Sequence, residues 1–367
     1  MAKIVIDARI INSSTGRYVE RLLAYLQDFD NKNEYIVLVP KKDFNYWKPE
    51  NKNFSIKVAE YKNYSFAEQL GFAFFLYSLK ADLVHFCMPQ QPILYFKPSI
   101  TSIHDLTLLK VYNSDKNWLI YRLKQLVGRF VFWWVSHKSR FILTISDFSK
   151  NEILNKYKIP HSRVVRTYLA ADTLSVKSKE YKLPYQKYIL HVGQQSDYKN
   201  VRRLITAHQS LLYKNPGLGL VFVGSKSLLI KNNEAWVESN GYKNVLFTGF
   251  VDDNQLSWLY KNCEAYVFPS LMEGFGLPGL EAMTQGAPVI SSNTTCLPEV
   301  YGDAAYYFNP KDTEDMTQKI NEVLEDKVLR DRLIKNGKKQ VKKYSWRKTA
   351  EQTIEVYKKA LEPNKDS

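Results

Sequence analysis

The run F-P-S-L-M-E-G-F-G-L-P-G-L-E-A-M-T-Q-G-A-P, from Phe268 to Pro288, decides the fold. The residues Ala265-Tyr266-Val267-Phe268 that lead into it form an unbroken apolar run, as in a strand buried on both faces of a parallel sheet. Pro269-Ser270 ends that strand, and the next loop carries Glu273, Gly274, Gly276 and Gly279. A helix is expected from near Leu277, because Pro278 in a first turn loses only an N–H that has no helical partner. Strand, glycine-rich loop and helix start together aim free backbone N–H groups and the positive end of a helix dipole at one point. Glycines let an anion or a sugar come close to the backbone. Glu273 and Glu281 flank the same point, so a diphosphate with hydroxyl-bearing groups on both sides would fit it. Such connections are common in α/β domains. The eight-residue Glu–Glu spacing and the strand Ala287–Ser291, directly after Gly286, take the stretch further.

Outward from this stretch, strand and helix patterns alternate along the chain. The first half reads as strands at Lys3–Asp7, Glu34–Val39, Ser55–Ala59, Leu83–Phe86, Ser99–Ile103, Arg140–Ile145 and Val164–Thr167. Helices are expected at Arg17–Gln27, with Val19, Leu22, Leu23 and Leu26 on one face, at Ala67–Lys80 and at Trp118–Ser136. Ser146 is placed to cap a helix over Phe148–Lys156. Ser175–Pro184 is polar, lysine-rich and without periodicity, which marks a linker. The pattern then restarts with strands at Tyr188–Val192, Leu218–Val223 and Val245–Phe247, and runs through the opening stretch to a short strand at Ala304–Phe308. Helices follow at Thr313–Glu325, Val328–Lys343 and from Ser345-Trp346 to about Leu361. The fold class is therefore α/β, with two Rossmann-like doubly wound domains and no detectable sequence repeat between them.

The segment E-G-F-G-L-P-G-L-E-A-M-x-x-G-x-P-V-I resembles, almost without interruption, the signature of the family 4 retaining glycosyltransferases. The resemblance implies the GT-B architecture over essentially the whole chain: an acceptor-side domain 1–174, a nucleotide-sugar domain 175–345 facing it across a cleft, and a helix 346–367 crossing back. It implies that Glu281 holds the nucleotide ribose and Glu273 meets the donor sugar. Gly274 and the backbone N–H groups of Phe275, Gly276 and Leu277 would receive phosphates or sugar hydroxyls. Lys199 matches the lysine on the diphosphate, where a point charge stabilises the leaving nucleotide. His104, before Asp105 at a strand's carboxyl end, resembles the histidine beside the reacting carbon. Gly16, within Thr15-Gly16-Arg17-Tyr18, resembles the first-loop glycine. The family's arginine near the lysine is replaced here by Gln194 or Tyr198, with Arg202 and Arg203 as candidates to stand in. Asp172 matches only a variant pattern and receives no role. Retention, a nucleoside diphosphate sugar donor (GDP-mannose first) and a glycan or lipid-linked acceptor in surface polysaccharide synthesis follow from the same likeness. So does the absence of any cofactor or metal, which agrees with the lack of a D-x-D-type pair.

Composition sets the outer limits. A chain of 367 residues with 45% apolar and 24% charged residues is globular and long enough for two cores. Its net charge of +15 favours anionic partners, nucleotides or an anionic membrane among them. Cys87, Cys263 and Cys296 are too few and too far apart for a disulfide framework or a zinc site. Met1-Ala2-Lys3 leads straight into a strand rather than a signal peptide, and no apolar run spans a bilayer. A cytoplasmic location is the expectation, with peripheral contact at the inner face of the membrane left open. Trp133 and Trp134, beside Arg129, Lys138 and Arg140, could sit at a membrane interface, but an aromatic stripe of helical spacing is ordinarily core, so Phe130–Val135 is read as buried. Two rivals remain. An NAD-dependent sugar-nucleotide enzyme would need G-x-G-x-x-G, and the first loop holds only Gly16. A basic nucleic-acid-binding module would need a reader motif, and none is present.

Overall fold

The structure, a computed structural model, describes residues 1–363 except 14, 64, 111–117, 173–176 and 226. The side chains of 118–121, 123 and 124 are likewise outside the description. The chain forms two compact units. One comprises Met1–Leu109, Leu119–Leu169 and Ser345–Ser367; the other comprises Lys110–Trp118 and Ala170–Tyr344.

In chain order the first unit contributes β1 (Lys3–Asp7), α1 (Gly16–Phe29), β2 (Glu34–Val39), β3 (Phe54–Val58), α2 (Ala73–Ser78), β4 (Leu83–Phe86) and β5 (Ser99–Ser102). α3 (Thr107–Lys110), α4 (Trp118–Lys138), β6 (Phe141–Thr144), α5 (Asp147–Tyr157) and β7 (Val164–Arg166) follow. Its seven strands run parallel in the order β3-β2-β1-β4-β5-β6-β7. β1 and β4 are buried throughout apart from Lys3, which explains their continuous apolar runs. The apolar face of α1 is buried as its spacing predicts, through Val19, Leu22, Leu23 and Leu26. Ser146 caps α5 by accepting from the Ser149 N–H at 3.1 Å, and Lys158 in the left-handed region ends that helix.

The second unit contains β8 (Lys187–Val192), α6 (Val201–Leu211), β9 (Leu218–Val223), α7 (Leu228–Ser239), β10 (Val245–Gly249), α8 (Asp253–Asn262) and β11 (Ala265–Phe268). It continues with α9 (Leu277–Thr284), β12 (Val289–Ser292), α10 (Leu297–Tyr301), β13 (Ala305–Phe308), α11 (Thr313–Glu325) and α12 (Lys327–Gln340). Its six parallel strands take the order β10-β9-β8-β11-β12-β13. Sequence order reverses between β8 and β11, and such a reversal opens a crevice at the carboxyl ends of the strands. The last helix, α13 (Trp346–Leu361), belongs to the first unit. It packs on α1 and buries Tyr357, whose hydroxyl lies 2.7 Å from His85 Nδ1. Thr349 on α13 donates to the Tyr168 carbonyl, and Arg140 donates to the carbonyls of Ala360 and Glu362.

The structure departs from the sequence reading in several places. The helix expected over Ala67–Lys80 contains a π-turn, Glu68–Phe72, before α2. Glu68 in that turn is ion-paired with buried Arg9, a contact between residues far apart in sequence that no local pattern announces. The short helix α10 has no counterpart in the reading, although its Leu297-Pro298 start repeats the Leu277-Pro278 start of α9. On α4 the stretch Phe130–Val135 is only partly buried: Val131, Phe132 and Val135 are core, whereas Phe130 and Trp133 are 49% and 47% exposed. A stripe needs a covering layer to become core, and this half of the stripe has none among the described residues. Residues 177–184 carry neither helix nor strand; Ser175, Val176 and the 174/175 boundary lie outside the described residues.

Candidate functional site

In the second unit, the loops after β8 and β11 lie side by side at the reversal point. The Leu271 N–H donates to the Tyr198 carbonyl at 2.7 Å. Asn200, in the left-handed region at the start of α6, donates from Nδ2 to the carbonyls of Pro269 (3.1 Å) and Pro310 (2.7 Å). These bonds fix Lys199 against the signature loop. Its ammonium donates to Glu273 Oε1 at 2.6 Å, with side chains 14% and 11% exposed. The same ammonium lies 5.4 Å from the Phe268 ring centre. The structure thus brings Lys199 and Glu273 together across 74 residues of sequence.

Glu281 is 5% exposed on α9. The buried Tyr266 phenol reports its position. Burial, then the charges of Glu273 and Glu281, push that phenol's proton affinity well above the ordinary range. Burial and Glu281 do the same to Tyr260. Glu273, Glu281 and Lys199 therefore share one neighbourhood within this unit.

The glycines of the loop are explained partly by a neighbour. Gly276 takes φ +89° at the start of α9, a conformation that suits glycine. A Cβ on Gly276 or Gly279 would run into the Tyr301 hydroxyl, and that hydroxyl donates to the Gly276 carbonyl at 2.5 Å. Tyr301, fully buried on α10, is the residue that the sequence reading missed. The turn before α10 supports the loop too: Glu273 N–H donates to Thr295 Oγ1 (3.3 Å), and Cys296 Sγ donates to the Glu273 carbonyl (3.2 Å). Gly274, Phe275 and Gly276 are buried and Leu277 is half-buried. Arg202 donates to Asn233 Oδ1 at 3.2 Å and lies 5.2 Å from the Trp236 ring, while Arg203 donates to Asn200 Oδ1 at 2.9 Å. Both guanidiniums are thus engaged with neutral partners.

In the first unit, Gly16 and His104 lie at the carboxyl rim of the sheet, after β1 and β5. Their link is Tyr18 on α1, whose ring meets His104 edge-on at 4.6 Å and whose hydroxyl lies 2.9 Å from Ser102 Oγ. Ser102 Oγ is in turn 2.8 Å from His85 Nε2. His104 Nε2 is buried with no hydrogen-bond partner among the described residues. A Cβ on Gly16 would land on the Ile11 carbonyl, so the packing of the loop Ala8–Thr15 demands glycine there, rather than a ligand's approach from that side.

Burial holds four histidines neutral. It lowers His104, His191 and His208 to about 4, and His85 to about 3 with a further contribution from His104. The unfolded chain takes up these protons near the ordinary imidazole value, so the stabilisation is complete above about pH 6.5 and is lost as pH falls toward 4. Each histidine contributes a slope of up to about 1.4 kcal/mol per pH unit in that window. Urea unfolding at pH 7.5, 6 and 5 should show stability falling steeply below pH 6.5. A flat profile between pH 7 and 5 would contradict buried neutral imidazoles. Among the described residues, no three His, Cys, Asp or Glu side chains cluster so as to hold a metal, and no helix is long and apolar enough to cross a membrane.

The family model for glycosyl transferases group 1 matches residues 175–340, the stretch that builds this crevice. The chain is 36% identical to the O-antigen chain mannosyltransferase B of Escherichia coli over 234 residues, 60% of this chain and 61% of that protein. It is 33% identical to the E. coli serotype-specific mannosyltransferase WbdA over 62% of this chain and 28% of that one. The chain thus spans less than two thirds of the length of these relatives. Among solved structures, the sucrose-phosphate synthase of Thermosynechococcus elongatus superposes with a TM-score of 0.77 at 18% identity, covering 98% of this chain and 99% of that one. Anabaena HepE, solved with UDP and glucose, superposes with a TM-score of 0.70 at 14% identity, again over 98% and 99%. The fold is the GT-B fold of these proteins.

Proposed function

We propose that the chain, whose residues 175–340 match the family model for glycosyl transferases group 1, moves a hexose from a nucleoside diphosphate sugar to a glycan or lipid-linked acceptor. The observation that carries this reading is the grouping of Lys199, Glu273 and Glu281 around the start of α9, at the reversal point of the second sheet. Glu281 accepts from the ribose hydroxyls and Glu273 from the donor sugar. The α9 amides and Lys199 neutralise the departing diphosphate without a divalent ion. His104, neutral at physiological pH, is assigned to the sugar at the reacting carbon. The bond from the anomeric carbon to the phosphate oxygen breaks, and one to the acceptor oxygen forms on the same face. The acceptor proton passes to the departing phosphate oxygen. This front-face course retains configuration and needs no carboxylate nucleophile.

The mannosyltransferase relatives make GDP-mannose the first donor to try and surface polysaccharide the first product class. The NAD-dependent and nucleic-acid-binding alternatives have no comparable grouping behind them. A thermal-shift panel of UDP, GDP, ADP and their sugars tests the donor site. At 100 times its dissociation constant, the true donor adds about 2.7 kcal/mol of stability and raises the melting midpoint. Glu281→Ala should abolish that shift. If no nucleotide sugar moves the wild-type midpoint, the reading fails.

A further inference from the structure

The loop that leads from β8 to α6 holds a buried side chain to which the mechanism gives no part. Gln195 lies between Gly193 and Lys199 and is 4% exposed. Its Oε1 accepts from Asn233 Nδ2 on α7 at 2.9 Å, and Asn233 Oδ1 accepts from Arg202 Nε on α6 at 3.2 Å. Its Nε2 is buried with no hydrogen-bond partner among the described residues. The direction of this chain is fixed by its cation. A guanidinium only donates, so the Asn233 atom that meets Arg202 is the oxygen. The Asn233 nitrogen then faces Gln195, the atom that receives it is Oε1, and Nε2 is left at the open end. Trp236 steadies the cation in turn, its ring centre 5.2 Å from the guanidinium. A buried N–H without an acceptor is costly, and such an atom is kept where something outside the fold supplies one.

Place and polarity both point to a phosphate oxygen. The loop that carries Gln195 also carries Lys199, whose ammonium meets Glu273 in the crevice at the carboxyl ends of β8 and β11. Each bond in the chain polarises the next, so an amide N–H at the end of a row that starts on a cation is a stronger donor than an isolated one. Arg202 itself spends its Nε on Asn233 and lies against Trp236. We propose that Gln195 is a donor to the diphosphate: its Nε2 donates to a phosphate oxygen of the bound nucleoside diphosphate sugar, and Asn233 and Arg202 position it. Arg202 then acts on the diphosphate through two carboxamides, which hold the positive charge back from the phosphate while aiming one hydrogen bond at it. This deepens the glycosyl transfer proposed above and rests on it, since the diphosphate is the leaving group of that reaction.

The test titrates the full chain calorimetrically with GDP, UDP and inorganic pyrophosphate. Gln195→Leu should weaken the nucleoside diphosphate that binds by about tenfold or more, the effect of one hydrogen bond to a charged group, and pyrophosphate by a similar factor. Asn233→Asp separates positioning from support, and it decides the matter if Gln195→Leu does not fold. Its carboxylate still accepts from Arg202 but cannot donate to Gln195 Oε1. The Gln195 carboxamide then turns to donate to the new carboxylate and shows its oxygen to the diphosphate. Binding should fall at least as far as in Gln195→Leu, with the urea midpoint near that of the wild type. A merely structural role gives the reverse, a lower midpoint with binding intact. Unchanged affinity in both variants overturns the proposal and leaves an internal water as the partner of Nε2. A loss confined to the nucleotide, with pyrophosphate unaffected, overturns it too, because the amide would then meet the nucleobase. If the wild type binds none of the three probes, the donor reading falls and this contact with it; if it binds them and both variants bind equally, the contact alone falls.

Discussion

Lys199→Ala lowers kcat by about 10²–10³-fold, with a much smaller change in KM for the donor. The expectation follows from the position of the ammonium, 2.6 Å from Glu273 Oε1 in the crevice where both side chains are largely buried. A leaving diphosphate gains negative charge as its bond to the sugar breaks. A fixed cation in a shielded site stabilises that charge more than it stabilises the bound donor, so the loss appears in turnover. Removing the ammonium also strands the Glu273 carboxylate, and urea unfolding of the variant separates that structural cost from the catalytic one. Steady-state kinetics with the donor found in the thermal-shift panel decides the matter. A variant with wild-type kcat would remove Lys199 from the transition state.

Replacing Arg9 by Met should destabilise the first unit by about 3–5 kcal/mol, because it removes the guanidinium that the buried Asp7 and Glu68 carboxylates share. Arg9 grips Asp7 with two bonds, Nε to Oδ1 and Nη2 to Oδ2, each 2.9 Å, and reaches Glu68 Oε1 with Nη1 at 2.9 Å. The three side chains are 3%, 0% and 1% exposed. The guanidinium also lies 4.1 Å from the Phe72 ring centre and donates to the Tyr61 carbonyl at 2.9 Å. Burial works against the charge, yet Asp7 and Glu68 together hold the Arg9 pKa above its ordinary value. The pairing ties the start of the loop Ala8–Thr15 to the π-turn, and Gly16 and Tyr18 follow from that loop. The loss should therefore appear in the urea midpoint and in local hydrogen exchange of the loop. A change below about 1 kcal/mol would mean the pair matters no more than an exposed one.

Local pattern carried much of the architecture. The apolar runs of β1, β2, β4, β9 and β11 were legible at their observed limits, and so were α11 and α13, because strands buried on both faces leave unbroken apolar runs and one-faced helices leave a period near four in the chain. The Ser146 cap was legible as well, since its chemistry involves only the next three residues. The reading also set Glu273 and Glu281 around one helix start from the strand–loop–helix order, whereas Lys199 joined them only through the resemblance.

The amino-acid order alone determined the alternation of strands and helices, the two α/β halves and the glycine-and-glutamate stretch at the start of α9. These depend on neighbours within one or two turns. Tertiary structure decided the rest. Lys199 meets Glu273 because β8 and β11 are adjacent in the sheet, an order that no local period encodes. Tyr301 fills the space that Gly276 and Gly279 leave, and Arg9 finds Glu68 across 59 residues. Phe132 is buried while Trp133 faces outward, because a periodic stripe shows that a helix has an apolar face but only packing shows which part of it is covered.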